Sequence, residues 1–92
     1  MVRGPVLIVD EEPIVRESIA HWLKNAGYQV VTAESSEQAR EMVESQDFSL
    51  MIVDLRLPGR AGLRVLKEVK ALKPQTKSVA IAAYPSTALA AE

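Results

Sequence analysis

The sequence predicts an open α/β fold around a parallel sheet, and three observations predict it. Short, β-branched apolar runs of strand length recur along the chain. Segments with apolar residues three and four apart separate them, which is the period of a helix packed on one side. No internal repeat, low-complexity tract or linker interrupts the series. Strands that alternate with helices pair in parallel through right-handed crossovers.

Val6-Leu7-Ile8-Val9 is a continuous apolar run and reads as a strand buried on both faces. It ends in Asp10, Glu11 and Glu12, and Pro13 follows at a place where a helix begins without losing a hydrogen bond. Val15, Ile19, Trp22, Leu23 and Ala26 then form one helix face, and Gly27 is its expected left-handed cap. Residues 28–33 make a second strand, in which Tyr28, like Trp22 before it, is expected to pack inside. Ser35 and Gln38 have the spacing of a capping box, and Ala39, Met42 and Val43 supply the next apolar face. Leu50-Met51-Ile52-Val53 is a third buried strand and also ends in an acid, Asp54. Pro58-Gly59 breaks the chain. Leu63, Leu66 and Val69, with Val65 and Leu72 alongside, form a third helix that Pro74 ends. Residues 79–83 are expected as a fourth strand. Pro85-Ser86-Thr87 opens a fourth helix just before the last residue given, Glu92.

Composition narrows the class. At 92 residues the chain holds one domain, 1–92, and 48% hydrophobic residues suffice for a core. A core this small leaves modest stability. No apolar run approaches the ~18 residues of a membrane span, and Met1-Val2-Arg3-Gly4 does not read as a signal peptide. The absence of cysteine excludes disulfides, thiolate metal sites and a cysteine nucleophile, and agrees with a cytoplasmic location. The net charge of −1 conceals a division: residues 1–54 carry ten acids and four bases, residues 55–92 two acids and seven bases. Glu34, Glu37, Glu41 and Glu44 have the spacing of a solvated helix face. The bases lack interleaved aromatics, so no direct nucleic-acid contact is expected from this segment.

Asp10, Glu11 and Asp54 differ from the other acids because they stand at the carboxyl ends of apolar strands, where open parallel sheets bind their ligands. If the first and third strands are neighbours, the three carboxylates converge. Like charges so placed call for a cation, and Mg²⁺ takes oxygen ligands with one or two carboxylates and several waters. Each acid taken singly is equally explained as a helix or turn cap. An acid pair and a single acid at the ends of two strands is a poorer coincidence. His21 reads as solvated surface, and one histidine builds no zinc site. No G-x-G-x-x-G or Walker pattern supports nucleotide binding.

The segment Val6-Leu7-Ile8-Val9-Asp10-Glu11-Glu12-Pro13 resembles the opening of response-regulator receiver domains. Met51-Ile52-Val53-Asp54-Leu55-Arg56-Leu57-Pro58-Gly59-Arg60-Ala61-Gly62-Leu63 is similar to the segment around their phosphorylated aspartate, and Val79-Ala80-Ile81-Ala82-Ala83-Tyr84 to their fourth strand. The resemblance spans essentially the whole chain. It implies a flavodoxin-like three-layer fold with strand order 2-1-3-4, incomplete in lacking a fifth strand and helix. It implies that Asp54 accepts a phosphoryl group from a histidine kinase. Mg²⁺ would be held by Asp54, Glu11 and the backbone carbonyl of Arg56, with Asp10 acting through water. Glu11 stands where the family commonly has aspartate. Gly62 would permit close approach near the site.

Such a module is not a turnover enzyme, and the Leu-Pro-Gly and Ala-Ala-Tyr stretches resemble receivers that precede a transcriptional output module. Two departures bear on signalling. Ala82 replaces the Ser or Thr whose hydroxyl bonds the phosphoryl group, and Ser86 and Thr87 are poor substitutes. The family's fifth-strand lysine has no counterpart expected within residues 1–92, since Lys73 and Lys77 precede the fourth strand at the other end of the sheet. A phosphorylation-independent docking or oligomerisation module is therefore the alternative. Self-association through a fourth strand left as an apolar sheet edge, or its cover by a partner, is expected under either reading. A Mg²⁺-dependent phosphohydrolase would need a second acid two residues after Asp54, where Arg56 stands.

Overall fold

The computed structural model describes residues 4–55 and 61–81. Its elements are β1 (Val6–Val9), α1 (Pro13–Asn25), β2 (Val30–Ala33), α2 (Ser36–Ser45), β3 (Leu50–Asp54), α3 (Ala61–Leu72) and β4 (Lys77–Ile81). The strands form one parallel sheet in the order β2-β1-β3-β4. Residues 82–92 and 56–60 lie outside the description. They include Arg56, Pro58, Gly59, Ala82, Ala83, Ser86, Thr87 and the expected fourth helix.

The pairing runs in step across the sheet. Val9 is level with Ala33 on one side and Val53 on the other, and Val53 is level with Ala80. Alternate residues therefore feed two separate cores. Leu7, Val9, Ala33, Met51 and Val53 pack with Ala39 and Val43 of α2, Val65 and Val69 of α3, and Phe48. Val6 and Ile8 pack on the opposite face with Ala20 of α1, supported by Ile19, Leu23, Val30, Leu50 and Ile52. All four residues of β1 are buried, as a continuous apolar run in a central strand requires.

Several local features follow from identifiable residues. Pro13 takes the first position of α1. Gly27, at φ +96°, reverses the chain after that helix in a conformation that side chains disfavour. Ser35 Oγ accepts from the Gln38 amide at 3.1 Å, while Gln38 Oε1 accepts from the Glu34 amide at 2.8 Å. The expected box thus closes on the residue before the cap.

Other expectations are corrected. Trp22 is 78% exposed, because α1 faces the sheet through Ile19, Ala20 and Leu23, and Trp22 lies round the helix from them. Tyr28 is also exposed, and β2 begins only at Val30, after Gln29 has accepted a bond from the Val6 amide. In α3 the buried stripe is Ala61, Gly62, Val65 and Val69, which leaves Leu63 and Leu72 exposed. The fourth strand begins two residues earlier than its apolar pattern suggests, because Leu50 pairs with Lys77. That outer strand therefore carries a charge at its start, contrary to the uncharged edge expected, although Val79 is 46% exposed.

Candidate functional site

The carboxyl ends of β1 and β3 set the site. Val9 and Val53 are level, so the next residues, Asp10 and Asp54, stand side by side on strands about 4.8 Å apart. Both are buried, at 0% and 2% exposure. The main chain of Asp10 continues the ladder by donating to the Ala33 carbonyl at 3.1 Å. Its Oδ1 accepts from the Glu12 amide at 2.9 Å, and its carbonyl accepts from Arg16 Nη1 at 2.9 Å. Asp54 is in register with Ile81, and the Leu55 amide donates to the Ile81 carbonyl at 2.9 Å.

The capping explanation is answered in part. Asp10 does tie the turn that leads into α1, through Glu12. Glu12 is the residue that precedes the helix, and its side chain makes no capping bond.

Gly62 presses on the same place from α3. A Cβ there would lie 2.6 Å from the Asp54 carbonyl oxygen and 3.1 Å from the Leu55 Cα. The close approach read from the sequence is thus against the backbone of Asp54 itself, and only a hydrogen fits.

Of the three acids singled out, the structure brings two together. Glu11 is exposed, and the described residues contain no group of three acidic or histidine side chains placed to share one ion. The carbonyl of Arg56 lies outside the described residues. The pair that remains still suits Mg²⁺, since two hard carboxylates with water completing the shell is its ordinary protein environment. Burying two carboxylates side by side also creates the local negative potential that a cation relieves.

Arg16 is a neighbour of the site that the sequence reading missed. Its one signal was position: a base one helical turn after Glu12, in the acid-rich half of the chain. His21 is exposed, 3.1 Å from Asn25 Nδ2. Lys73 and Lys77 lie at the amino end of the sheet, where Lys73 Nζ donates to Asp47 Oδ1 at 2.5 Å.

Comparison with known proteins places the chain. It is similar to a cyclic di-GMP phosphodiesterase of Thermotoga maritima, 39% identical over 82 residues that cover 89% of this chain and 22% of that protein. The alginate biosynthesis transcriptional regulatory protein AlgB of Pseudomonas aeruginosa is 34% identical over 82 residues, 89% of this chain and 18% of AlgB. The chain thus spans about a fifth of the length of these two relatives.

Among solved structures it resembles response regulator protein TrrA of Thermotoga maritima in complex with Mg²⁺-BeF. There the TM-score is 0.82 and the identity 35%, covering 89% of this chain and 71% of that one. The complex of histidine kinase ThkA with TrrA matches at TM-score 0.80 and 34% identity, covering 92% and 73%. The response regulator receiver domain family matches residues 6–92, and the chain belongs to that family.

Proposed function

We propose that this chain is the phosphoacceptor module of a two-component system, with Asp54 as the acceptor. The observation that carries the proposal is the pair of buried carboxylates, Asp10 and Asp54, level with each other at the carboxyl ends of adjacent strands. Asp54 would hold Mg²⁺, with Asp10 acting through water and with Glu11 and the Arg56 carbonyl as the further ligands that the family resemblance implies. When bound, the ion would supply neutralisation of the phosphoryl oxygens, which is most of what phosphoryl transfer demands. The Asp54 carboxylate oxygen attacks phosphorus in line, and the bond from phosphorus to the kinase's histidine nitrogen breaks. The site's task is to present that oxygen at a fixed place. Gly62 against the Asp54 carbonyl and β4 beside it serve this by holding the backbone.

A histidine kinase is the proposed partner, by analogy with the ThkA–TrrA complex. A transcriptional regulator is the proposed parent, by analogy with AlgB. Incubation with a small phosphodonor and Mg²⁺, read by intact mass, tests the proposal. The wild type is expected to gain one phosphoryl group, and Asp54→Asn none. A wild type that stays unlabelled while a control receiver is labelled favours docking instead, the reading to which Ala82 points. Self-association through β4 is compatible with either reading, and light scattering at low micromolar concentration reads it directly.

A further inference from the structure

Arg16 serves a part of the molecule beyond its own helix. It lies early in α1, yet its guanidinium turns back to the acidic end of the sheet, and its side chain is only 12% exposed. Nη1 donates to the Asp10 carbonyl at 2.9 Å, and Nη2 faces Glu34 Oε2 at 3.8 Å. Asp10 follows β1 and Glu34 follows β2, so one side chain spans the turns that leave two adjacent strands. We infer that Arg16 is a positioning residue for the Asp10–Asp54 site, holding the Asp10–Glu12 turn in the shape that presents the Asp10 carboxylate to a divalent cation.

The inference rests on the reading of that site given above, and its logic is one of anchors. The Asp10 amide is fixed by Ala33, and its Oδ1 is engaged by the Glu12 amide. Arg16 holds the peptide that leads from Asp10 to Glu11, whose orientation determines where both Glu11 and the Glu12 amide fall. A planar guanidinium has donors in two directions and meets both turns at once, which a lysine ammonium on a flexible stem does not. Electrostatics alone predicts the reverse influence. A fixed positive charge beside a cation site lowers its affinity, so removing Arg16 would tighten binding if charge were its whole role. The two roles therefore differ in sign.

Calorimetric titration with MgCl₂ of the wild type, Arg16→Gln, Arg16→Lys and Glu34→Gln decides between them, together with hydrogen exchange at the Glu12 amide in metal-free protein. Arg16→Gln is expected to weaken Mg²⁺ binding about tenfold, as loss of an orienting partner does, and to speed exchange at Glu12. Arg16→Lys keeps the charge and is expected to lose part of the affinity. Glu34→Gln is expected to lose less than Arg16→Gln, since the Asp10 bond survives. Mg²⁺ binding by Arg16→Gln that equals or exceeds the wild type, with Glu12 exchange unchanged, overturns the inference. If Arg16→Gln does not fold, Arg16→Lys with wild-type affinity and exchange overturns it equally. A wild type that binds no Mg²⁺ overturns the site reading instead, and Glu12 exchange in the metal-free variants still decides whether Arg16 holds the turn.

Discussion

The two ends of the sheet treat their acids differently: Asp47 at one end is exposed, and Asp10 and Asp54 at the other are buried. At the amino end, donors meet acceptors and opposite charges meet. Thr76 Oγ1 donates to the Phe48 carbonyl at 2.9 Å, Ser49 Oγ to the Gly4 carbonyl at 2.9 Å, and Lys73 pairs with Asp47. At the carboxyl end, two acids are buried beside each other, and a glycine is needed for the helix to approach them. The amino end is arranged for stability. The carboxyl end keeps an arrangement that stability alone would not select, which is common where binding or chemistry takes place.

Substitutions at the two ends sharpen that contrast. The largest effect is expected from Gly62→Ala. The obstructing atoms are backbone, so overpacking costs about 1–3 kcal/mol, set against at most ~1 kcal/mol gained in helix propensity. Chemical denaturation is expected to show a net loss, and phosphodonor labelling at Asp54 to slow with it. Unchanged stability and labelling would remove Gly62 from the account of the site.

Mg²⁺ comes next. Binding to the folded state alone contributes about 1.4 kcal/mol at ten times Kd. The wild type is therefore expected to melt at a higher temperature with Mg²⁺, and Asp54→Asn to show a smaller shift. Equal melting temperatures with and without the ion would make the acidic end as inert as the other.

Thr76→Val probes the amino end. It removes a buried hydroxyl donor and is expected to cost about 1 kcal/mol while leaving the Mg²⁺ shift intact; a lost shift would mean that the two ends are coupled. Lys73→Ala is expected to cost least, under ~1 kcal/mol, because its partner Asp47 is 71% exposed and solvent weakens such pairs.

What was legible in the sequence follows the same division. β1 and β3 stand out because central strands covered on both faces are apolar at every position, and their terminal acids are then conspicuous. The apolar pattern starts β4 two residues late because the strand tolerates Lys77 and Ser78, which pattern alone does not separate from a turn. Trp22 departs from its expected place because apolar spacing defines a stripe on α1, whereas the sheet covers only part of it. Phe48, fully buried before β3, had no periodic neighbours to betray it. Arg16 has no pattern to mark it: the Asp10 carbonyl reaches it only through the turn into α1, and Glu34 only once β1 and β2 are paired.

The level pairing of Val9 with Val53 also makes the hydrophobic core a ruler for the acids. Neither Asp10 nor Asp54 chooses its own height; each is carried there by four apolar residues locked to their neighbours. A deletion of one residue within β3 would turn its core-facing side chains to the other face of the sheet or draw Asp54 a full step back from Asp10. Length changes inside β1 or β3 are therefore expected to be lethal to the site even when composition is preserved. Exchanges among valine, isoleucine and leucine in the same strands leave the ruler's spacing intact.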